Sequence, residues 1–207
     1  IMSIPKIIHY CWFGKNPKSE LINRCIESWK NFCPDFKIIE WNESNFDIGY
    51  CEYTKQAYEN KKYAFVSDVA RLYAVYKYGG IYLDTDVELM TSIDKLLDYK
   101  GYMLWENERF LNTGLGFGAE KENKLIKSVL DEYNSMKFIN SDGTLNMTTC
   151  PRINTKSIKT YYPKLIRNGS MQIIEEFAFI PCNIHAKLSI HYGDQSWVDN
   201  RLKVLNR

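Results

Sequence analysis

The apolar positions along the chain fall into two periods that alternate from the start. KIIHYCWF (6–13) is a near-continuous apolar run and predicts a first buried strand. Leu21, Ile22, Cys25 and Trp29 follow at i, i+1, i+4 and i+8, the stripe of an amphipathic helix. FKIIEW (36–41) predicts a second strand, and the polar stretch 52–62 a helix. Val69, Leu72, Tyr73 and Tyr76 then stand at i, i+3, i+4 and i+7. This second clear helix is expected to be capped by Ser67 in front and stopped by Gly79 and Gly80 behind. IYL (81–83) returns as a third strand. GYMLW (101–105) and GLGFGA (114–119) predict two more, followed by a helix over about 121–137. Beyond 150 the pattern weakens, and only IIEEFAFIPC (173–182) and LSIHY (188–192) stand out as strands. Strands alternating with helices predict an α/β domain with a mixed, mostly parallel central sheet. With no repeat, low-complexity linker or change of composition, residues 1–207 are expected to form a single domain.

Composition narrows the function classes more than the fold. Hydrophobic residues make up 45% and charged residues 25% of 207, an ordinary globular balance. The net charge of +2 offers no basic stripe for nucleic acid. No apolar run approaches 18 residues and no stretch has the layout of a secretory leader, so a cytoplasmic protein without a transmembrane segment is expected. The basic residues Arg201, Lys203 and Arg207 offer a peripheral contact with a membrane, although so few charges near one end are ordinarily just solvated. The six cysteines, at 11, 25, 33, 51, 150 and 182, include no C-x-x-C pair. Several sit at apolar-patterned positions, which predicts reduced thiols rather than a disulfide framework or a zinc ribbon.

Candidate chemistry concentrates in SDVARLYAVYKYGGIYLDTDVE (67–88). A helix of about 11 residues from Asp68 spans roughly 16 Å, and a strand from Gly80 to Asp84 covers about the same length back. The chain therefore returns to its starting level, with Asp68 and Arg71 beside Asp84 and Asp86. That end is the carboxyl end of a strand, where open α/β sheets bind ligands. Two carboxylates leaving one strand suit a hard cation, Mg²⁺ or Mn²⁺, that shares its remaining positions with phosphate oxygens. An arginine beside them suits a phosphate or a sugar hydroxyl. With eleven aspartates in 207 residues, chance alone supplies roughly 0.6 D-x-D triplets, so the triplet means little without its neighbours.

The neighbours resemble a family. S-D-x-x-R, a helix, then Y-G-G-x-Y-x-D-x-D is similar to the signature of bacterial and fungal DxD sugar transferases. These are the capsule-type glycosyltransferase family 32, which includes the yeast initiating mannosyltransferase, and the related glucosylating clostridial toxins. Every fixed position is present: Ser67, Asp68, Arg71, Tyr78, Gly79, Gly80, Tyr82, Asp84 and Asp86. IPKIIHYCWFG (4–14) resembles the family's opening, and HYGDQSW (191–197) its closing motif. The resemblance implies a GT-A, Rossmann-like fold and a retaining, metal-dependent hexosyltransferase. It implies a nucleotide-diphosphate sugar donor, with uracil as the expected base. The implied acceptor is a glycan or lipid-linked oligosaccharide of a capsular or other surface polysaccharide. It implies that Trp12 stacks on the base, with His9 and Tyr82 also in the nucleotide-sugar site, and that Asp68 and Arg71 hold the donor. Asp84 and Asp86 would bind Mn²⁺ or Mg²⁺, joined by His191, while Ser196 and Trp197 close over the diphosphate. Asn112 falls near the sugar or acceptor. A donor phosphate oxygen would take the acceptor's proton, so no protein base is named, and Glu106 and Glu108 are unplaced acidic candidates. Two other readings stay open. IYLDTDV also fits a haloacid-dehalogenase-type phosphatase with Asp84 as nucleophile, although that motif ordinarily sits on a first strand and has no use for S-D-x-x-R. A binding module without turnover is the other.

Overall fold

The computed structural model describes residues 2–193. Strands β1 (Ile7–Cys11), β2 (Lys37–Trp41) and β3 (Gly80–Tyr82) alternate with helices α1 (Glu20–Phe32), α2 (Glu52–Glu59) and α3 (Tyr63–Tyr78). β4 (Val87–Leu89), β5 (Gly101–Leu104), β6 (Phe117–Ala119) and α4 (Lys124–Asn134) follow. The chain continues through α5 (Cys150–Tyr161), β7 (Gln172–Ile174), β8 (Phe177–Ile180), the short α6 (Cys182–His185) and β9 (Ser189–His191).

Seven strands form the central sheet in the order β2-β1-β3-β6-β5-β8-β7. β1, β2, β3, β5 and β8 point one way, and β6 and β7 the other, so the sheet is mixed and mostly parallel. β4 and β9 pair separately and antiparallel, with Val87 opposite His191. One face of the sheet is covered by α2, α3, α4 and α5, around Trp105, Phe117, Phe138 and Phe179. The other packs against α1 through Trp29 and through Ile8, Ile81 and Leu104. Trp29 Nε1 donates to the Val87 carbonyl at 2.8 Å, and Ser28 Oγ accepts from Leu89 N at 2.9 Å, which ties α1 to β4.

Helix α3 departs from expectation at its start. It begins at Tyr63, and Ser67 lies inside it, donating from Oγ to the Tyr63 carbonyl at 3.2 Å instead of capping. Asp68 and Arg71 therefore sit past the first turn, and the helix N-terminus is not part of their cluster. The apolar run before Ser67 decides this, because Phe65 and Val66 are buried like the residues that follow. The stop is as expected. Gly79, at φ 67°, donates to the Val75 carbonyl, and a Cβ there would lie 2.9 Å from Lys121 N and from Pro5. The run 173–182 is a hairpin rather than one strand. Glu175 and Glu176, at φ 50° and 65°, make a two-residue turn between β7 and β8 without the usual Asn or Gly. Similarly, GLGFGA is half turn and half strand, with a 3₁₀ turn at Thr113–Leu115 and only Phe117–Ala119 in the sheet. All six cysteines are free.

Candidate active site

A cleft of about 1030 Å³ opens at the carboxyl ends of β1, β3 and β5. Its floor is the end of β3 and the turn that follows. Tyr82 hydroxyl donates to Asp84 Oδ1 at 2.7 Å, and Arg71 Nη1 donates to the same oxygen at 3.2 Å. Arg71 Nη2 donates to Asp68 Oδ1. Arg71 is 2% exposed and its guanidinium lies 5.4 Å from the Tyr82 ring centre. One buried cation is thus fixed between the carboxylate of α3 and that of the β3 turn. A buried pair of this kind gains rigidity only because several bonds share its desolvation cost.

The electrostatics follow from that burial. Desolvation pushes the Asp68 carboxyl up to about 7, with Arg71 pulling it down and Asp84 adding to the rise. Burial also raises Asp84, opposed by Arg71 and reinforced by Asp86. Arg71 stays charged: burial works against its cation, and the surrounding acidic groups, Asp68 foremost, outweigh it.

Asp84 Oδ1 is occupied by Arg71 and Tyr82, and the space beside Oδ2 is kept by Gly114, where a Cβ would come within 2.8 Å of that oxygen. His191, brought alongside by the β4–β9 pairing, has Nε2 3.2 Å from Asp86 Oδ1. Burial opposes protonation of His191, but its bond to Asp86 prevails and raises its pKa. One donor atom each from Asp84, Asp86 and His191 lie within 4.8 Å of one another. Two carboxylates and an imidazole at that spacing fit a divalent cation, so the donor set passes the chemical test for a metal site.

The structure thus brings together Asp68, Arg71, Tyr82, Asp84, Asp86, Asn112, Trp12 and His191 around one cleft. Trp12 is on its wall, with Nε1 donating to the Asn16 carbonyl at 2.7 Å and Lys18 Nζ 5.7 Å from its ring. Asn112 shapes the far wall: Oδ1 accepts from Gly114 N and from the Cys150 thiol, and Nδ2 donates to Glu106. His9 is a correction. It is 0% exposed and absent from the cleft, with Nδ1 accepting from Trp41 Nε1 at 3.0 Å and Nε2 therefore donating to the Gly79 carbonyl at 2.8 Å. With both nitrogens engaged inside the fold, it braces the glycine turn and has nothing left for a ligand. Ser196 and Trp197 lie outside the described residues. Of the two unplaced acids, Glu106 lines the cleft and Glu108 does not. Sequence reasoning missed Gly114, Cys150 and Arg152, which complete the far wall. The only signal for α5 was Pro151 near its start.

Comparisons with known proteins bear on the family likeness and the fold. Residues 19–103 match the profile described as glycosyltransferase sugar-binding region containing DXD motif. The chain carries the DXD region of the sugar transferases. Inositol phosphoceramide mannosyltransferase 3 of Schizosaccharomyces pombe is 32% identical over 112 residues, covering 49% of this chain and 29% of that protein. Inositol phosphoceramide mannosyltransferase 1 of the same organism is 26% identical over 145 residues, covering 65% and 44%. The chain thus spans less than half the length of these curated relatives. Among solved structures, PaToxG glycosyltransferase superposes with a TM-score of 0.61 at 18% identity, over 77% of this chain and 70% of that one. A glycosyltransferase involved in glycosylation of the major capsid of PBCV-1 covers 93% and 95%, with a TM-score of 0.50 at 12% identity. The fold is the GT-A fold of glycosyltransferases, which leaves the phosphatase reading of IYLDTDV without its scaffold.

Proposed function

We propose that this chain transfers a hexosyl group from a nucleoside diphosphate sugar to a hydroxyl of a glycan or lipid-linked acceptor, with a divalent cation and with retention of anomeric configuration. The observation that carries the reading is the meeting of Asp84, Asp86 and His191 with the buried Asp68–Arg71 pair on the floor of one cleft. Asp84, Asp86 and His191 would hold the cation, and the imidazole favours Mn²⁺ over Mg²⁺, which keeps to oxygen ligands. When bound, the cation neutralises charge on the diphosphate and makes it a better leaving group. Arg71, pinned from both sides, presents fixed positive charge to the donor with no reorganisation during the reaction. Asp68, beside it on the cleft wall, accepts hydrogen bonds from donor hydroxyls. Trp12 offers a ring to the base. Gly114 and Asn112 keep the sugar's end of the cleft open and shaped. The donor's own phosphate oxygen takes the acceptor proton, and positioning does the rest.

Mannose is the sugar in the names of the curated relatives, and the uridine base rests on the sequence resemblance, so the donor panel must hold both UDP- and GDP-sugars. Synthesis of capsular or other surface polysaccharide at the cytoplasmic face of a membrane is the setting that suits such an acceptor; no helix among the described residues is long and apolar enough to cross one. The test is release of nucleoside diphosphate from that panel with and without Mn²⁺, with the anomeric configuration of the transfer product read by proton NMR. One donor consumed only with metal, giving product of the donor's own configuration, is the expected result. Inversion would refute the mechanism. Metal-dependent cleavage of an aryl phosphate with no donor consumed would refute the function.

A further inference from the structure

Across the sheet the cleft residues fall in a fixed order. Trp12 follows β1, Asp84 and Asp86 follow β3, Asn112 and Gly114 precede β6, and Glu106 follows β5, with β1, β3, β6 and β5 side by side. Because β6 runs against its neighbours, the turn leading into it lies at the same end as the turns that leave them. Contacts tie the order together. A Cβ on Gly114 would meet Asp84 Oδ2 at 2.8 Å and Asn112 Oδ1 at 2.9 Å, and Asn112 Nδ2 donates to Glu106 Oε1 at 3.1 Å. Glu106 thus stands one glycine and one amide away from Asp84 of the proposed metal site, on the side opposite Trp12. Its charge also reaches the His191 ring. With the base on Trp12 and the diphosphate on the cation, as the proposed function has it, the hexose extends toward Glu106.

Among the described residues, four carboxylates line the cleft. Asp68, Asp84 and Asp86 belong to the Arg71 pairs or to the metal site, which leaves Glu106 without a role. It is exposed, forms no ion pair among the described residues, and no hydrogen bond from them reaches its second oxygen, Oε2. It is nevertheless held in place. Asn112 Oδ1 accepts from Gly114 N at 2.7 Å and from the Cys150 thiol at 3.3 Å, which turns Nδ2 toward Glu106. Behind it the backbone is braced. Glu106 N donates to the Phe110 carbonyl at 2.8 Å, the Cys182 thiol donates to the Glu106 carbonyl at 3.2 Å, and His185 Nε2 donates to the Trp105 carbonyl at 2.8 Å. A carboxylate with one oxygen pinned, its backbone clamped and its other oxygen unpartnered is a preorganised acceptor for a hydroxyl.

We propose that Glu106 is a specificity-determining residue of this site: Oε2 accepts a hydrogen bond from one hydroxyl of the donor hexose, and Asn112 positions the carboxylate for that contact. The inference rests on the nucleotide-sugar reading of the cleft. A carboxylate accepts and does not donate, so the hydroxyl it reads must donate, and a hexose lacking that hydroxyl is rejected.

The test is calorimetry with Mn²⁺. UDP, GDP, UDP-glucose, UDP-galactose and GDP-mannose are measured first on the native chain. The nucleotide sugar bound most tightly is then compared with its 2-, 3-, 4- and 6-deoxy analogues on the native chain, on Glu106→Ala, and on Glu108→Ala, which removes the same charge from the same turn outside the cleft. The native chain should lose at least about tenfold in affinity for one deoxy analogue. In Glu106→Ala that loss should shrink to below about twofold, with the losses at the other positions and the affinity for the bare diphosphate within about twofold of native. Glu108→Ala should match the native chain throughout. A side chain that merely props the wall would weaken every analogue alike, and that result overturns the proposal. So does a native chain with no tenfold position, a Glu106→Ala variant that keeps its selectivity or loses affinity for the bare diphosphate, or the same change in Glu108→Ala. Binding of neither diphosphate with Mn²⁺ would fail the proposed function and this contact together, whereas diphosphate binding with a flat response to the sugar hydroxyls strikes the Glu106 contact alone.

Discussion

The reassignment of His9 from ligand to brace has a measurable consequence. Burial holds its ring at about 4, well below an ordinary histidine, with the bond to Gly79 only partly compensating. The folded state therefore requires the neutral ring. In the unfolded chain the same histidine protonates near 6.5, so the contribution is complete above that pH and drains away as pH falls toward 4. At pH 4.5 the loss amounts to about 2.5 kcal/mol, from the gap between about 6.5 and about 4. Other groups titrate over the same range, including His185, whose pKa burial also lowers. The informative quantity is therefore a difference. Urea denaturation at pH 7.5 and pH 4.5 is compared between the native chain and His9→Gln, whose amide keeps a donor for the Gly79 carbonyl. The stability gap between the two should move by about 2.5 kcal/mol in favour of the variant on acidification. Donor affinity of the variant at pH 7.5 should stay within about twofold, because the His9 side chain does not line the cleft. A gap that stays constant to within about 0.5 kcal/mol would refute the buried, neutral histidine.

Further consequences follow from the same geometry. Arg71→Met leaves the buried Asp68 and the partly exposed Asp84 without their cation, and chemical denaturation at neutral pH should show a loss of about 3 kcal/mol; adding Asp68→Asn should recover part of it, and strict additivity would contradict a shared network. Gly114→Ala places a methyl 2.8 Å from Asp84 Oδ2 and 2.9 Å from Asn112 Oδ1, so Mn²⁺ affinity by calorimetry should fall at least about tenfold, roughly 1.4 kcal/mol, without loss of the fold. Tyr53 and Tyr133 hydroxyls are buried without a hydrogen-bond partner among the described residues. Tyr133→Phe should therefore leave the thermal midpoint unchanged or raise stability by up to about 1 kcal/mol; a clear drop would mean that the phenol is bonded after all.

What the sequence disclosed depended on the kind of signal each element carries. The out-and-back arithmetic of α3 and β3 placed Asp68, Arg71, Asp84 and Asp86 together, because helix rise and strand rise are fixed by backbone geometry. The start of α3 was misplaced because a serine before an apolar periodicity looks like a cap, whereas the apolar run from Tyr63 carries the helix a turn further back. The hairpin at Glu175 and Glu176 was invisible, since two glutamates at positive φ break the usual turn chemistry. His9 matched a motif, and a motif does not say which side of a strand faces the cleft. His191 was legible only through resemblance, because it reaches the aspartates through a β4–β9 pairing across about a hundred residues of chain. The far wall was not legible at all: Phe110 and Arg152 come from separate segments that only the folded chain brings together.

The most direct test of the central claim is calorimetry of UDP- and GDP-sugars, with and without Mn²⁺, on the native chain and on Asp86→Ala. The account predicts that one nucleotide sugar binds only when Mn²⁺ is present and that Asp86→Ala abolishes this binding while the protein stays folded. Binding that ignores both the metal and the substitution, or no binding by any nucleotide sugar, would contradict it.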